Sequence, residues 1–235
     1  MFSVAILSGG FATRLYPLTL KCPKSLVEVA GKPFLAWQLE LLRNQGITRV
    51  VLCLGHHSEL VKEYISTQDF GLEVIFSEDG ESPLGTGGAI QKAIPVLGEQ
   101  FMVLNGDSFL EIEYSKVYKA FIESGKKGLM TIYKNQNSLE KSNVEFKNGK
   151  IQKYRKEGNA DSLEYIDFGL SVFSASAFAL LYPRIQYDLS SVYEKLITVE
   201  ELASYVTPGR FFEIGSHEGL KETKDHIERM GRSVH

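Results

Sequence analysis

The first half of the chain alternates short apolar runs with stretches of helical periodicity. The apolar runs FSVAIL, TRVVLCL, LEVIFS and FMVLN predict strands at residues 2–7, 48–54, 72–77 and 101–105. Helices are predicted between them at residues 33–45, opened by Pro33 and closed by Gly46, at residues 59–66, capped by Ser58, and at about residues 86–94. Strands that alternate with helices indicate a parallel sheet, and ligands of such sheets lie at the carboxyl ends of the strands.

The second half of the chain has a different pattern, of strands joined by turns. Strand-like runs cover residues 128–134, 142–147, 150–156, 164–174 and 210–215. Asn148 and Gly149 are a strong signal for a type I′ hairpin between the second and third runs. A short helix is predicted near residues 175–181, ending before Pro183, and Ser216 is predicted to cap a terminal helix. With no repeat and no long linker, the pattern predicts one α/β domain over residues 1–235 with an antiparallel insertion.

Composition and charge exclude several classes of partner. Of the 235 residues 43% are apolar, which is enough to bury a core. The net charge of -3 and the pI near 6.0 give no electrostatic reason to expect a nucleic-acid partner. No apolar run approaches the roughly 18 residues of a membrane span, and no signal peptide is visible. Two cysteines do not make a disulfide framework, so we expect a cytoplasmic protein without membrane contact.

The most informative segment is LSGGFATRLYPLTLKCPKSLVEVAGKPF, which follows the first strand. Gly9 and Gly10 allow a flat base or a phosphate to approach the main chain, and Arg14 and Lys24 add cations suited to a polyphosphate. The spacing fits neither a GxGxxG dinucleotide loop nor a P-loop. Two adjacent glycines and an arginine alone would also fit a turn with surface cations, so the whole string must be explained.

The whole string resembles the signature of the sugar-1-phosphate nucleotidyltransferases, which combines GGxGTRLxPLT, a PK pair and a GKP at the start of a helix. The resemblance continues, in order, through PLGTGGAI, LNGDS, YIDFGLSVFS and EIGSHEGL. It implies a Rossmann-like fold with a mostly parallel central sheet, flanking helices and a small antiparallel sugar-site insertion. Residues of about 1–110 would form the nucleotide half and about 111–235 the sugar-phosphate half. Ala12 departs from the family's usual glycine, and we expect only a small intrusion from its methyl group.

The resemblance implies attack by a sugar 1-phosphate oxygen on the α-phosphate of a nucleoside triphosphate, giving a nucleotide sugar and pyrophosphate. The attacking phosphate is already an anion at neutral pH, so no general base is required. Lys24 would contact the triphosphate, and Arg14 would hold the departing pyrophosphate. The implied nucleotide-binding residues are Leu7, Ser8, Gly9, Gly10, Asp79, Gly85 and Thr86. For Asp79, a contact with base or sugar and a simple turn role both stay open.

Metal and sugar-phosphate ligands are implied in the same way. Asp107 would bind Mg²⁺, and Glu213 stands where many members carry a second metal-binding aspartate, so it would bind directly or through a water. The implied sugar-phosphate residues are Asn105, Lys156, Asp167 and Gly169. Lys153 is the alternative to Lys156, because Arg155 stands where the family has an acidic residue. An exposed edge strand with protective charges is the other interpretation of this run.

The sequence supports the type of reaction more strongly than it supports particular substrates. PLGTGGAI followed by LNGDSF is similar to guanylyltransferases that act on heptose or mannose 1-phosphate, which favours GTP. Uridylyltransferases acting on muramic-type sugar phosphates and cytidylyltransferases share the pattern and stay open. A glycosyltransferase would carry a DxD motif, which the residues after Asp107 do not supply. A silent nucleotide-sensing subunit is the other alternative, and the presence of Lys24, Arg14 and Asp107 favours an enzyme. The product would feed a cell-surface polysaccharide, a lipopolysaccharide or a glycoprotein, and a homo-oligomer stays open.

Overall fold

The computed structural model describes residues 2–10, 12–136, 138–156, 163–181 and 185–232. The strands are β1 Ser3–Ser8, β2 Glu28–Val29, β3 Lys32–Pro33, β4 Arg49–Leu54, β5 Glu73–Glu78, β6 Gln100–Asn105, β7 Ser108–Phe109, β8 Gly128–Lys134, β9 Val144–Lys147, β10 Lys150–Tyr154, β11 Tyr165–Ser174, β12 Leu202–Val206 and β13 Phe212–Glu213. The helices are α1 Phe34–Asn44, α2 Ser58–Ser66, α3 Gly85–Leu97, α4 Tyr114–Ser124, α5 Ser176–Ala179, α6 Leu189–Thr198 and α7 His217–Arg232.

One mixed sheet organises the described ranges. Strands β5, β4, β1 and β6 are mutually parallel, and β11 continues the sheet antiparallel to β6. Strand β8 pairs antiparallel with β11 and parallel with β12, while the β9–β10 hairpin attaches near the start of β11. The expected mixed α/β architecture is confirmed, with the parallel strands in the first half and the antiparallel insertion in the second.

Helices cover both faces of this sheet because the parallel strands are apolar on both sides. Val4 and Ile6 of β1 pack in a cluster with residues of α1, α2 and α4, whereas Ala5 packs with residues of α3, α5 and α6. Side chains of a strand alternate between faces, so a continuous apolar run is what a strand covered on both sides requires. The carboxyl ends of β1, β4, β5 and β6 therefore meet at one edge of a sandwiched sheet.

Several local expectations need correction. Ser58 is the first residue of α2 and its hydroxyl donates to Glu78, so it does not cap the helix. Helix α3 begins at Gly85 and continues to Leu97, beyond the expected end. The strand expected at residues 210–215 is reduced to the two residues of β13. Helices α4 and α6 and strand β12 were not predicted, and Pro183 lies outside the described residues. Over those residues, no helix is long and apolar enough to cross a membrane.

The structure confirms one predicted hairpin turn and one predicted helix cap. Asn148 and Gly149 have φ values of +52° and +75°, as a type I′ hairpin requires. The Ser216 hydroxyl accepts the backbone N–H of Gly219 at 2.9 Å, which caps the first turn of α7. Ala12 has a φ of +49°, a left-handed conformation that disfavours alanine relative to the family's usual glycine.

Candidate active site

A cavity of about 390 Å³ opens at the carboxyl edge of the parallel strands. All seven predicted nucleotide-binding residues line it, together with Lys24, Asn105 and Asp107. These residues come from the last residues of β1 and β6, from the loops after β1, β5 and β6, from the start of α3 and from the turn that holds Lys24. The fold thus brings together segments that are far apart in sequence, as expected for a ligand site of a parallel sheet.

Lys24 and Asp107 form an ion pair at the wall of this cavity. The Lys24 Nζ atom lies 2.7 Å from Asp107 Oδ2, and both side chains are mostly buried. Burial alone would raise the pKa of Asp107, but the ammonium of Lys24, with help from Arg14, holds that pKa below its ordinary value. Asp107 is therefore a carboxylate at neutral pH, with one oxygen held by the lysine.

Arg14, Asp107 and Glu213 converge on the space beside Gly215. A Cβ atom added at Gly215 would lie 2.6 Å from Glu213 Oε2, 3.1 Å from Arg14 Nη2 and 3.2 Å from Asp107 Oδ2. Only a residue without a side chain leaves room for these three groups to approach one another. Arg14 is otherwise largely exposed, and its guanidinium lies 3.8 Å from Glu140.

Glu213 is held by the turn that starts α7. The Ser216 hydroxyl donates to its Oε1 at 2.7 Å, and the backbone N–H of Gly215 donates to its Oε2. Burial raises the pKa of Glu213, and the neighbouring carboxylates Asp107 and Glu140 add to that rise. Glu213 lies beside the cavity rather than in its lining, and both of its oxygens already have donors.

Residues 185–189, here named the clamp segment, pack against the start of α3. The Tyr187 carbonyl oxygen accepts the backbone N–H groups of Gly87 and Gly88 at 2.9 and 3.1 Å. A Cβ at Gly85 would lie 2.6 Å from that same oxygen, and Gly85 has a φ of +74°. These glycines are therefore required for packing of the clamp segment, a role that the sequence alone did not indicate.

Three of the predicted sugar-phosphate residues lie at the cavity or next to it: Asn105 lines it, and Lys156 and Gly169 lie against residues that line it. Lys156 Nζ lies 2.7 Å from an oxygen of Asp188, a cavity residue, whereas Lys153 lies 3.7 Å from Glu145 on the β9–β10 hairpin. A Cβ at Gly169, where φ is +92°, would lie 3.2 Å from Asn105 Nδ2. Gly169 therefore brings β11 directly against the cavity wall, and Lys156 rather than Lys153 contacts a cavity residue.

Besides Glu213, two carboxyl groups carry pKa values raised by burial. Asp167 accepts the Gly169 N–H at 2.9 Å, and burial raises its pKa to about 6. Asp79 accepts the Leu84 N–H at 3.2 Å, and burial raises its pKa as well. Such groups bind hydrogen-bond donors of a ligand more strongly than exposed carboxylates do, because water competes less.

Sequence reasoning missed two polar residues of the cavity, Asp188 and Ser25. The Ser25 hydroxyl is buried and has no hydrogen-bond partner among the described residues. Asp188 directly precedes α6, where an aspartate before the apolar spacing of LSSVYEKLIT is a recognisable helix start. That signal predicts the helix but not the place of Asp188 in the cavity, which depends on the packing of the clamp segment.

Comparison with known proteins gives one family. A model described as "Nucleotidyl transferase" matches residues 3–229. The mannose-1-phosphate guanylyltransferase catalytic subunit beta of Drosophila melanogaster is 30% identical over 216 residues, which cover 89% of this chain and 58% of that protein. The D-glycero-alpha-D-manno-heptose 1-phosphate guanylyltransferase of Campylobacter jejuni is 39% identical over 112 residues, 48% of this chain and 50% of that protein. The matched regions therefore span little more than half the length of these curated relatives.

Solved structures share the fold over nearly the whole chain. The crystal structure of HddC from Yersinia pseudotuberculosis has a TM-score of 0.80 and 25% identity, covering 97% of this chain and 100% of that one. A second HddC crystal structure, complexed with GMP-PN, has a TM-score of 0.79 at the same identity and coverage.

Proposed function

Because the chain belongs to the nucleotidyl transferase family, we propose that it transfers a nucleotidyl group from a nucleoside triphosphate to a sugar 1-phosphate and releases pyrophosphate. One observation carries this proposal: Lys24 and Asp107 face a single cavity beside the glycine loop of residues 7–10. A cation and a carboxylate beside a loop that offers little steric hindrance suit the binding of a triphosphate and its metal.

The attacking group needs no base from the protein. A phosphate monoester is largely a dianion at neutral pH, because its second pKa is about 6. The site must instead bring two polyanions together and stabilise the charge on the departing pyrophosphate. Lys24 would contact the triphosphate with the N–H groups that Asp107 leaves free. Arg14, which is exposed and directed at the space beside Gly215, would hold the pyrophosphate.

Asp107 and Glu213 fit a magnesium ion that also binds substrate phosphates. Both carboxylates approach the space beside Gly215, and the pKa of Asp107 is held below its ordinary value. Over the described ranges, no group of three or more metal-binding side chains could hold an ion alone. Mg²⁺ commonly takes one or two carboxylates and completes its shell with phosphates and water. When bound, it would neutralise charge on the transferring phosphates. Glu213 would exchange a present donor for the ion or contact it through a water.

The sugar 1-phosphate is proposed to bind between the cavity and β11. Lys156 would bind its phosphate, because it is the lysine that contacts the cavity residue Asp188. Asp167 would accept a hydrogen bond from a hydroxyl of the sugar, while Asn105 and Gly169 would form the adjoining wall of the sugar site. A sugar hydroxyl would then add a donor to the N–H of Gly169 that Asp167 already accepts.

GTP is the nucleotide that we favour. Guanine presents an N1–H and an N2–H₂ group side by side, and a carboxylate such as Asp79 can accept both. The two curated relatives named above are guanylyltransferases, and HddC was crystallised with GMP-PN. Their sugar substrates make mannose 1-phosphate or D-glycero-D-manno-heptose 1-phosphate the proposed acceptor. The free thiols Cys22 and Cys53 agree with a cytoplasmic location.

The test is pyrophosphate release with Mg²⁺ across GTP, UTP, CTP, ATP and dTTP, each combined with a panel of sugar 1-phosphates. We expect release from GTP with mannose or heptose 1-phosphate, dependent on both substrates. Lys24→Met should reduce the rate by roughly 100-fold or more, as removal of a group that stabilises developing charge does. Lys21→Met is the matched control, because Lys21 is an exposed lysine of the same loop and should leave the rate unchanged.

Other outcomes of this assay discriminate the alternatives. Release only with UTP or CTP would retain the reaction and replace the nucleotide. Silence in every combination, with GTP binding retained in calorimetry, would contradict an enzyme and favour a nucleotide-sensing subunit. Asp79→Asn should reduce the preference for GTP over the other nucleotides, because an amide cannot accept both guanine donors.

A further inference from the structure

The clamp segment carries one carboxylate that touches both halves of the site. Asp188 lines the nucleotide cavity and precedes the first residue of α6. Its Oδ2 accepts from Lys156 Nζ at 2.7 Å, and its Oδ1 accepts from the Thr86 hydroxyl at 3.4 Å. Thr86 belongs to the proposed nucleotide residues and Lys156 to the proposed sugar-phosphate residues. Asp188 is therefore a direct side-chain link between the two.

Hydrogen bonds of the neighbouring residues hold the backbone of Asp188 from both sides, and the Thr86 hydroxyl contacts its carboxylate. Before it, the Tyr187 N–H donates to the Leu84 carbonyl at 3.0 Å, and the Tyr187 carbonyl accepts two N–H groups of α3. After it, the Leu189 N–H donates to the Thr86 hydroxyl at 2.8 Å. A carboxylate held in this way does not have to be ordered when it binds a partner, so its hydrogen bonds lose little entropy.

Lys156, in contrast, has little else to hold it. It lies two residues beyond the end of β10, and its side chain is 60% exposed. A lysine side chain has many rotamers, and those are lost when the ammonium is fixed on a phosphate. Lys153, on the same hairpin, is paired with Glu145 and does not reach the clamp segment. Asp188 is thus the group that decides where the ammonium of Lys156 lies.

We propose that Asp188 is a positioning residue for the sugar 1-phosphate, which holds the ammonium of Lys156 at the rim of the nucleotide cavity. The inference rests on the proposed function, since it takes the phosphate of a sugar 1-phosphate as the group that Lys156 binds. An ammonium has three N–H donors, so Lys156 keeps its bond to Asp188 and offers two to the phosphate. The pairing also offsets the repulsion between the Asp188 carboxylate and the arriving dianion.

An opposite role is physically distinct and can be tested. If Asp188 were a competitor that sequesters Lys156, removal of its charge would release the lysine and tighten sugar-phosphate binding. If Asp188 positions Lys156, removal of its charge weakens that binding. The two roles therefore predict opposite signs for the same substitution.

The test uses Asp188→Asn in the full chain. Asparagine is as good as aspartate before the first residue of a helix, so α6 should be preserved. The dissociation constant of mannose 1-phosphate is measured by calorimetry with the α,β-methylene analogue of GTP present, whose α–β bridge the reaction cannot break, and KM values for both substrates are measured by pyrophosphate release. We expect mannose 1-phosphate to bind about 10-fold more weakly, as for loss of one charge-assisted hydrogen bond, while the KM of GTP changes less than about 2-fold.

A double-mutant cycle with Lys156→Met supplies the readout that a merely structural role would not produce. In the Lys156→Met background, Asp188→Asn should cause no further weakening, because the partner that Asp188 positions is already gone. Asp225→Asn is the matched control, since it breaks a Lys–Asp pair at 2.9 Å on the exposed face of α7. That control should leave both dissociation constants unchanged.

Four results would overturn the role of Asp188: unchanged binding, tighter binding, equal weakening of GTP and mannose 1-phosphate, or an undiminished effect in the Lys156→Met background. The last would make Asp188 a direct ligand of the substrate. Failure of the proposed function has a different signature, because wild-type protein would then release no pyrophosphate with any substrate pair. Wild-type protein that binds neither mannose 1-phosphate nor D-glycero-D-manno-heptose 1-phosphate in calorimetry would refute both.

Discussion

Replacing Gly106 by alanine probes how closely the ends of β1 and β6 pack beside the cavity. Gly106 follows β6 directly, and an added Cβ would overlap the Leu7 carbonyl oxygen and lie 2.8 Å from the Leu7 carbonyl carbon. Both are backbone atoms of β1, which is held between β4 and β6, so neither can rotate away. We expect the methyl group to separate Leu7 from its partner Asn105, the last pair of this ladder.

The expected loss of stability follows from three contributions. Overpacking of a tight site costs about 1–3 kcal/mol, and loss of one backbone hydrogen bond at the end of the ladder costs about 1 kcal/mol. Alanine restricts the unfolded chain and returns about 0.4–1 kcal/mol. The net loss in the free energy of unfolding is therefore about 2 kcal/mol. Because Ser8 and Asp107 would be displaced by up to about 1 Å, turnover should fall by roughly 100-fold.

Urea denaturation of Gly106→Ala and Gly209→Ala measures this difference. A Cβ at Gly209 would have no neighbour within 4 Å, and Gly209 does not have a positive φ. Both variants restrict the unfolded chain equally, so the difference between them isolates the packing effect. Gly209→Ala should remain within about 0.5 kcal/mol of the wild type. A Gly106→Ala variant as stable as Gly209→Ala would refute the close packing at this edge.

Three further predictions concern backbone strain, a helix cap and pH. Ala12→Gly should stabilise the protein by about 0.5–1 kcal/mol in urea denaturation, because alanine is disfavoured at a φ of +49°. The control Ala120→Gly, within α4, should destabilise it by about 1 kcal/mol. Ser216→Ala should destabilise the protein by about 1 kcal/mol, because it removes the cap of α7. Ser66→Ala, at an exposed serine, should leave the stability unchanged, and equal effects of the two substitutions would contradict the cap. Burial raises the pKa of Asp167 to about 6, above the value of about 4 that it has in the unfolded chain. Between these pH values the folded state binds more protons than the unfolded state, so the free energy of unfolding falls as the pH rises. From pH 4 to pH 7 the wild type should lose about 2 kcal/mol more than Asp167→Asn, and parallel pH profiles would contradict this.

The inner parallel strands could be predicted because they are buried on both faces. Each of β1, β4 and β6 is a largely continuous apolar run, so the pattern locates it within one or two residues. The α4 and α6 helices were missed although their buried residues have helical spacing, as Tyr114, Val117 and Phe121 of α4 illustrate. Strand β12 is largely half-buried and pairs at the sheet edge with β8, so its pattern is weak.

Part of the candidate site could be predicted because its residues belong to short sequence motifs. Lys24, Asp107 and the glycine loop belong to recognisable local strings, and the cavity brings these strings together. Asp188 could not be found in this way, because its partners Thr86 and Lys156 are 102 and 32 residues away along the chain. The glycines of α3 could not be explained from their own segment either, because the residue that requires them, Tyr187, lies about 100 residues away and packs against them.

In the proposed reaction, an oxygen of the sugar phosphate displaces pyrophosphate directly at the α-phosphate of the nucleotide. Mannose 1-phosphate labelled with oxygen-18 in its non-bridging phosphate oxygens, mixed with unlabelled GTP, Mg²⁺ and the protein, tests it by mass spectrometry. We expect a nucleotide sugar that retains all of the label, and pyrophosphate that carries none. Label in the inorganic product, or a labelled sugar diphosphate formed together with GDP, would contradict it.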